Sequence, residues 1–247
     1  MKYLIVSLGI VLSMSCNSIK MSHSPHKLSK MDKQFMALDT TLGAHDLLID
    51  FIDIQPWTVR VVFPEKGSSK PKSLIIALHW AGGGDTYKVF SECLVEPAFA
   101  KRNAILLTPD AENEAWYSPK NKKRLIKLIK LAQKNWSVSP ANTVIMGYSN
   151  GGNGAWYYAE HYSELFCAAI PMASAYEPSG NKIGIPMYVI HGANDELFDI
   201  NQTRVWVKSA QEVNDKVIFR RVPSLSHYEA CQYLPVLKDA VEWLDKG

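Results

Sequence analysis

The sequence TVIMGYSNGG, residues 143–152, is the strongest single indication of the fold. Its first four residues form an apolar run typical of a buried strand, and a helical pattern follows over residues 152–161. Between them lies G-x-S-x-G, with Ser149 flanked by Gly147 and Gly151. A serine on a sharp turn from strand to helix adopts a strained backbone, and only small flanking residues leave room for that turn. We therefore predict that the Ser149 hydroxyl stands above the end of a sheet, beside the positive end of a helix.

Short apolar runs alternate with longer mixed segments along the rest of the chain, which predicts strands joined by helical crossovers. We expect an opening antiparallel pair at 47–54 and 58–63, followed by six parallel strands at 73–79, 104–108, 143–147, 166–171, 187–191 and 217–222. Helical patterns cover 87–100, 120–136, 152–161, 201–213 and 228–244. The predicted fold class is α/β, with an eight-stranded, mostly parallel sheet, helices on both faces and no large cap domain.

The composition excludes a disordered chain, a collagen and a coiled coil. The 247 residues are 47% hydrophobic and 21% charged, as in an ordinary globular protein. The net charge of +3 is too small to suggest a nucleic-acid partner. No His, Cys and Asp cluster has metal-ligand spacing, so we expect neither a metal nor a cofactor.

The first part of the chain predicts export. Lys2, an apolar run and then small residues follow the order of a secretory signal over residues 1–15. The stretch LSMSC, residues 12–16, resembles a bacterial lipobox, although Ser13 stands where leucine is most common. That resemblance implies a lipid on Cys16, with the protein held at the membrane of the cell envelope. Residues 16–42 are then expected to be a tether and 43–247 the folded domain.

A serine hydroxyl is a weak nucleophile until a base takes its proton, and a carboxylate must orient that base. The run 187–190 is followed by HGAND, which places Asp195 in the loop beyond a strand. The run 217–222 is followed by PSLSH, which places His227 in the next such loop. We predict Ser149 as nucleophile, His227 as base and Asp195 as the orienting acid. Asp199 is the alternative acid, but its position also suits the cap of a helix.

The order Ser149, Asp195, His227 resembles that of α/β-hydrolase serine esterases, nearest to the compact carboxylesterase, phospholipase and dienelactone-hydrolase-like groups. His191-Gly192-x-x-Asp195 is similar to the signature that carries the acid in those groups. The resemblance spans roughly residues 45–245 and implies a serine hydrolase that cleaves a carboxylic ester through an acyl-enzyme intermediate. Analogy extends the expected substrates to acyl groups on carbohydrate.

Two backbone N–H groups must stabilise the oxyanion of the tetrahedral intermediate. We expect one from Asn150, directly after the nucleophile, and the other from Ala81 in the loop HWAGGGD, residues 79–85. This loop differs from the family pattern at Trp80, which replaces the usual glycine. The predicted substrate pocket contains four aromatic residues, namely Trp80, Trp116, Tyr117 and Tyr148.

Two alternatives to the esterase remain open at this stage. A prolyl-oligopeptidase-like peptidase would share the catalytic triad, and a non-catalytic binding protein could retain the fold. The cysteines leave a further question open. If Cys16 carries a lipid, Cys93, Cys167 and Cys231 can form at most one disulfide, and the sequence does not select the pair.

Overall fold

The computed structural model describes residues 30–38, 41, 43–51, 55–64, 73–180 and 183–246. Its centre is an eight-stranded sheet with the order β1-β2-β4-β3-β5-β6-β7-β8. The strands are β1 Gly43–Ile49, β2 Trp57–Phe63, β3 Ser73–Leu78, β4 Ala104–Pro109, β5 Thr143–Tyr148, β6 Ala168–Met172, β7 Met187–Gly192 and β8 Val217–Val222. β1 and β2 are antiparallel, and β3 to β8 run parallel. The predicted α/β sheet is confirmed.

The central strands are apolar along their whole length because helices cover both faces of the sheet. Every residue of β3, β4, β5 and β6 is buried. Ile76 of β3 packs into the core on one face, and its neighbour Ile75 packs into the core on the other. Such alternation follows from the two-residue period of a strand.

Seven α-helices surround the sheet within the described part of the chain. They are α1 Lys30–Met36, α2 Thr86–Phe90, α3 Glu96–Phe99, α4 Pro119–Asn135, α5 Asn150–His161, α6 Ile200–Val213 and α7 Leu234–Leu244. Helices α1, α4, α5 and α6 contribute to one core, and α2, α3 and α7 to the other. A π-helical turn, Ser91–Val95, joins α2 to α3, so the predicted helix at 87–100 is a composite of three segments.

The expectation that residues 16–42 form a tether is wrong for α1. Phe35 is 2% exposed and its ring lies 4.9 Å from that of Trp136. Asp32 is 4% exposed and accepts a hydrogen bond of 2.7 Å from Lys134 on α4. The sequence showed no apolar period because a helix of seven residues needs only one or two anchors. The predicted signal sequence, Cys16 and most of the predicted tether lie outside the described residues.

Cys93 and Cys231 form a disulfide, and Cys167 is a free thiol. The bond joins the π-helical turn before α3 to a 3-10 turn, Ala230–Tyr233, before α7. Among the described residues, no helix is long and apolar enough to cross a membrane.

Candidate active site

Ser149 occupies the turn between β5 and α5. Its φ of +55° lies in the left-handed region that non-glycine residues seldom adopt. Two glycines make the turn possible. A Cβ on Gly147 would collide with the carbonyl oxygen of Gly151, and a Cβ on Gly151 would collide with that of Leu78. Both glycines of the motif therefore lie where neighbouring backbone atoms leave no room for a side chain.

The structure brings Ser149, His227 and Asp195 together from three separate strand ends. The Nε2 atom of His227 lies 2.9 Å from Oγ of Ser149, and its Nδ1 atom lies 2.8 Å from Oδ2 of Asp195. Since the carboxylate can only accept a hydrogen bond, Nδ1 carries the proton and donates to it, and Nε2 is left as the acceptor for the serine hydroxyl. All three side chains are buried or nearly so.

Four groups hold the Asp195 carboxylate in place. Besides His227, His191 directs its Nε2 atom to Oδ2 at 3.2 Å. The backbone N–H groups of Leu197 and Phe198 donate to Oδ1 at 3.0 and 2.7 Å. Burial alone would raise the pKa of Asp195, but the hydrogen bonds from His191, His227 and Phe198 outweigh it and hold the pKa well below its ordinary value. The carboxylate is therefore ionised whenever the fold is intact near neutral pH.

Asp199, which the sequence offered as the alternative acid of the triad, is the N-cap residue of α6. It precedes α6 and its Oδ1 accepts a hydrogen bond of 2.9 Å from the N–H of Asn201. This bond satisfies one of the N–H groups that the first turn of a helix leaves without an acceptor.

The loop that carries His227 is held by Tyr148, which the sequence predicts in the pocket, and by two glutamates that the sequence analysis did not single out. Glu196 accepts the backbone N–H of His227 at 2.9 Å, and Glu229 accepts that of Ser226 at 2.8 Å. Tyr148 donates its hydroxyl to the carbonyl of His227 at 2.8 Å. Both glutamates lie within two residues of a predicted triad member, and this proximity in the sequence could have identified them.

His79 organises the loop that the sequence assigns to the oxyanion hole. Its Nε2 accepts the N–H of Ala111 at 2.9 Å, so its Nδ1 carries the proton and donates to the carbonyl of Trp80 at 2.6 Å. In a trans peptide, the C=O and N–H point in opposite directions. The Ala81 N–H is therefore directed away from the buried His79, and Ala81 lines the same cavity as Ser149.

The second predicted donor, Asn150, is the first residue of α5. The N–H groups of a first helical turn have no acceptor within the helix, and they carry its positive end. The Asn150 side chain donates to the carbonyl of Glu114 at 3.1 Å, which anchors the start of the helix to the loop after β4. In the strand order of the sheet, the loop after β3 that carries Ala81 and the loop after β8 that carries His227 lie on opposite sides of β5.

A cavity of about 580 Å³ opens at Ser149. Trp80 and Tyr148 line it, as the sequence analysis expects. The remaining wall comes from Val89, Leu197 and the segment 228–232, which includes Cys231 of the disulfide. These residues were missed because their positions at the cavity depend on how the loops fold over the sheet.

Trp116 and Tyr117 lie apart from the cavity, which corrects their assignment to the pocket. Trp116 is fully buried and donates its Nε1–H to the carbonyl of His79 at 2.9 Å. Tyr117 packs against Tyr157 on α5, with ring centroids 5.3 Å apart. Trp116 thus contacts His79, directly after β3, and does not line the cavity.

The described residues contain no group of three or more His, Cys, Asp or Glu side chains placed to hold a metal ion.

Comparisons with known proteins show which folds and which family this chain resembles. Two solved structures from Staphylococcus aureus have similar folds. A fluorophosphonate-binding serine hydrolase F is 14% identical, with 81% of this chain and 97% of that chain covered and a TM-score of 0.67. An S-formylglutathione hydrolase is 15% identical, with 82% and 98% covered and a TM-score of 0.68.

One curated relative is an uncharacterized secreted protein of Arthroderma benhamiae. It is 27% identical over 117 residues, which is 34% of this chain but only 13% of that protein. The chain therefore spans a small part of that relative's length.

Residues 103–244, more than half of the chain, match the family model described as phospholipase/carboxylesterase. This range contains Ser149, Asp195 and His227. The chain therefore belongs to the phospholipase/carboxylesterase family of α/β-hydrolase serine esterases.

Proposed function

We propose that the protein hydrolyses carboxylic esters through an acyl-enzyme intermediate on Ser149. The observation that carries the proposal is the pair of short contacts made by His227, 2.9 Å to the serine Oγ and 2.8 Å to the Asp195 carboxylate. Nucleophile, base and orienting acid are thus within hydrogen-bond reach before any substrate binds.

In the first half of the reaction, Oγ of Ser149 attacks the ester carbonyl carbon while Nε2 of His227 takes the hydroxyl proton. The carbonyl electrons move to oxygen, and the N–H groups of Ala81 and Asn150 stabilise that oxyanion. When the carbonyl reforms, the bond to the alcohol oxygen breaks. The alcohol leaves with the proton that His227 returns to it.

In the second half, a water molecule attacks the acyl-enzyme, and His227 accepts one of its protons. The second tetrahedral intermediate collapses, the carboxylic acid leaves and the proton returns to Ser149. Asp195 keeps the Nδ1–H tautomer in both halves and stabilises the imidazolium as it forms.

Hydrolysis of 4-nitrophenyl acetate tests the chemistry. We expect Ser149→Ala to lower kcat by at least about 10³-fold. The matched control is Ser209→Ala, an exposed serine on α6 that should retain wild-type kcat. Mass spectrometry of acid-quenched wild type should detect an acetyl group on the peptide containing Ser149. Activity that survives Ser149→Ala would overturn the proposal.

For the substrate, we propose acyl groups carried by carbohydrate. The cavity walls support this choice because they combine aromatic faces, from Trp80 and Tyr228, with hydrogen-bonding groups, from Glu229 and Gln232. Ring faces pack against the apolar side of a sugar, and polar groups orient its hydroxyls. Rates on acetylated and feruloylated sugars should exceed those on long-chain fatty esters. The reverse preference would refute the substrate assignment.

We also propose that the protein is exported and anchored by a lipid on Cys16. Support comes from the lipobox-like sequence and from the Cys93–Cys231 disulfide, a bond that persists in oxidising compartments. Cell fractionation should find the wild type with membranes and Cys16→Ala in the soluble fraction. A Cys16→Ala protein that stays fully membrane-bound would contradict acylation.

A further inference from the structure

The direction of proton transfer identifies which side of the cavity holds the leaving alcohol. In the acylation step the proton from Nε2 of His227 goes to the alcohol oxygen, so that oxygen must lie on the imidazole side. The ester carbonyl oxygen lies instead toward Ala81 and Asn150. The wall beside the imidazole is the segment 228–232, whose residues all line the cavity. This segment therefore contacts the alcohol part of the ester.

This wall of the cavity carries a negative charge, and the described part of the cavity lining offers no positive charge beside it. Among the described residues that line the cavity, Glu229 supplies the carboxylate, and none is lysine or arginine. The hydrogen bonds that Ser226 donates lower the pKa of Glu229, so its side chain is ionised at neutral pH. An anionic alcohol would approach this carboxylate without a compensating cation on the cavity wall.

The neighbouring groups favour an uncharged, hydroxylated alcohol. The Tyr228 side chain is 74% exposed, and its ring lies 5.9 Å from the His227 ring in an edge-to-face arrangement. It presents an apolar face at the mouth of the cavity, next to the exposed side chain of Gln232. One oxygen of Glu229 accepts the Ser226 N–H, and the carboxylate also accepts hydrogen bonds from the side chains of Ser226 and Gln232. An ionised carboxylate has about four acceptor positions, so it can still accept a substrate hydroxyl.

We propose that the segment 228–232 is a leaving-group subsite for uncharged, hydroxyl-bearing alcohols, and that Glu229 excludes anionic ones. The inference rests on the proposed ester hydrolysis and goes beyond it by assigning Glu229 a role in specificity. Glu229 does not participate in proton transfer.

The test uses two acetate esters that differ in the charge of the leaving group, 3-acetoxybenzamide and 3-acetoxybenzoate. The measured quantity is the ratio of kcat/KM for the neutral ester to that for the anionic ester. Comparing this ratio between variants cancels the intrinsic reactivities of the two esters. Glu229→Gln is the informative variant because its amide oxygen can still accept the Ser226 N–H while the charge is removed.

We expect Glu229→Gln to lower the neutral-to-anionic ratio about three- to fivefold at low ionic strength, as one charge acting across a few ångströms of solvent would. In 0.5 M NaCl the difference between wild type and variant should largely disappear because the carboxylate is screened. The matched control is Glu212→Gln, an exposed carboxylate on α6 that does not line the cavity. It should leave the ratio unchanged.

An unchanged ratio in Glu229→Gln, with hydrolysis of both esters still abolished by Ser149→Ala, would overturn the subsite while leaving the proposed function intact. An equal change in the Glu212→Gln control would also overturn it, because the effect would then reflect net charge alone. Failure of the proposed function has a different outcome, namely hydrolysis of the neutral ester that persists in Ser149→Ala.

Discussion

Replacing His79 by asparagine and by glutamine separates its two hydrogen bonds. The Nδ2 atom of asparagine occupies about the position of the histidine Nδ1 and can donate to the carbonyl of Trp80. The side-chain oxygen of glutamine extends to about the position of Nε2 and can accept the N–H of Ala111. Each variant thus retains one of the bonds of 2.6 and 2.9 Å and loses the other.

The two variants should lose similar stability but different amounts of activity. His79 is fully buried, and a buried polar group left without its partner costs about 1–3 kcal/mol of unfolding free energy. Of the two hydrogen bonds of His79, the one to the carbonyl of Trp80 orients the Ala81 N–H. Complete loss of an oxyanion-hole donor lowers kcat about 10²- to 10³-fold. A donor that is misdirected but present should cost about 10- to 100-fold in His79→Gln, with a much smaller loss in His79→Asn.

The assays are urea unfolding and steady-state hydrolysis of 4-nitrophenyl acetate. Because the oxyanion forms only in the transition state, the loss should appear in kcat while KM changes little. Equal kcat values in the two variants, at equal stability, would refute the role of His79 in orienting Ala81. A greater loss of kcat in His79→Asn would refute it as well.

Three further predictions concern the triad, the disulfide and the turn. Asp195→Asn should lower kcat by about 10³- to 10⁴-fold through the wrong His227 tautomer. Because folding lowers the pKa of Asp195 below its ordinary value of 3.8, the stability that its carboxylate contributes is complete above about pH 5 and is lost as the pH falls. The free energy of unfolding should therefore decrease less steeply with falling pH in the variant than in wild type. Removing the Cys93–Cys231 disulfide, which joins residues 138 positions apart in the sequence, should cost about 2–4 kcal/mol in urea unfolding, and dithiothreitol should then have no further effect. Gly151→Ala should yield little folded protein in circular dichroism because its Cβ meets the backbone of Leu78, whereas Gly83→Ala, with open space around its Cβ, should fold normally.

The sequence analysis located the strands from local patterns. Six of the predicted strands, from 73–79 to 217–222, agree with β3 to β8 to within a few residues. Long apolar runs identify strands that are buried on both faces, since a two-residue period is not needed there. An opening antiparallel pair was also predicted, but β1 covers Gly43–Ile49 where 47–54 was expected. This strand alternates between partly buried and exposed residues, so its apolar signal is weak at the beginning.

The candidate site was predictable where a residue type is tied to a strand end. Ser149, Asp195 and His227 each lie within five residues after the end of an apolar run, and the carboxyl ends of parallel strands share one edge of a sheet. The cavity wall was less predictable. Trp116 follows a strand in the same way, but it packs beneath His79, and no property of its local sequence distinguishes the two placements.

Local patterns of about ten residues or fewer were enough to predict the eight strands, most of the helices between them, the turn at Ser149 and the three residues of the triad. Only the tertiary structure decided the pairing of Cys93 with Cys231, the packing of α1 against α4 and the carboxylate of Glu229 at the cavity wall. Each of these depends on contacts between segments distant in the chain or on the direction in which a loop turns. Local hydrophobicity and residue type carry little information about either.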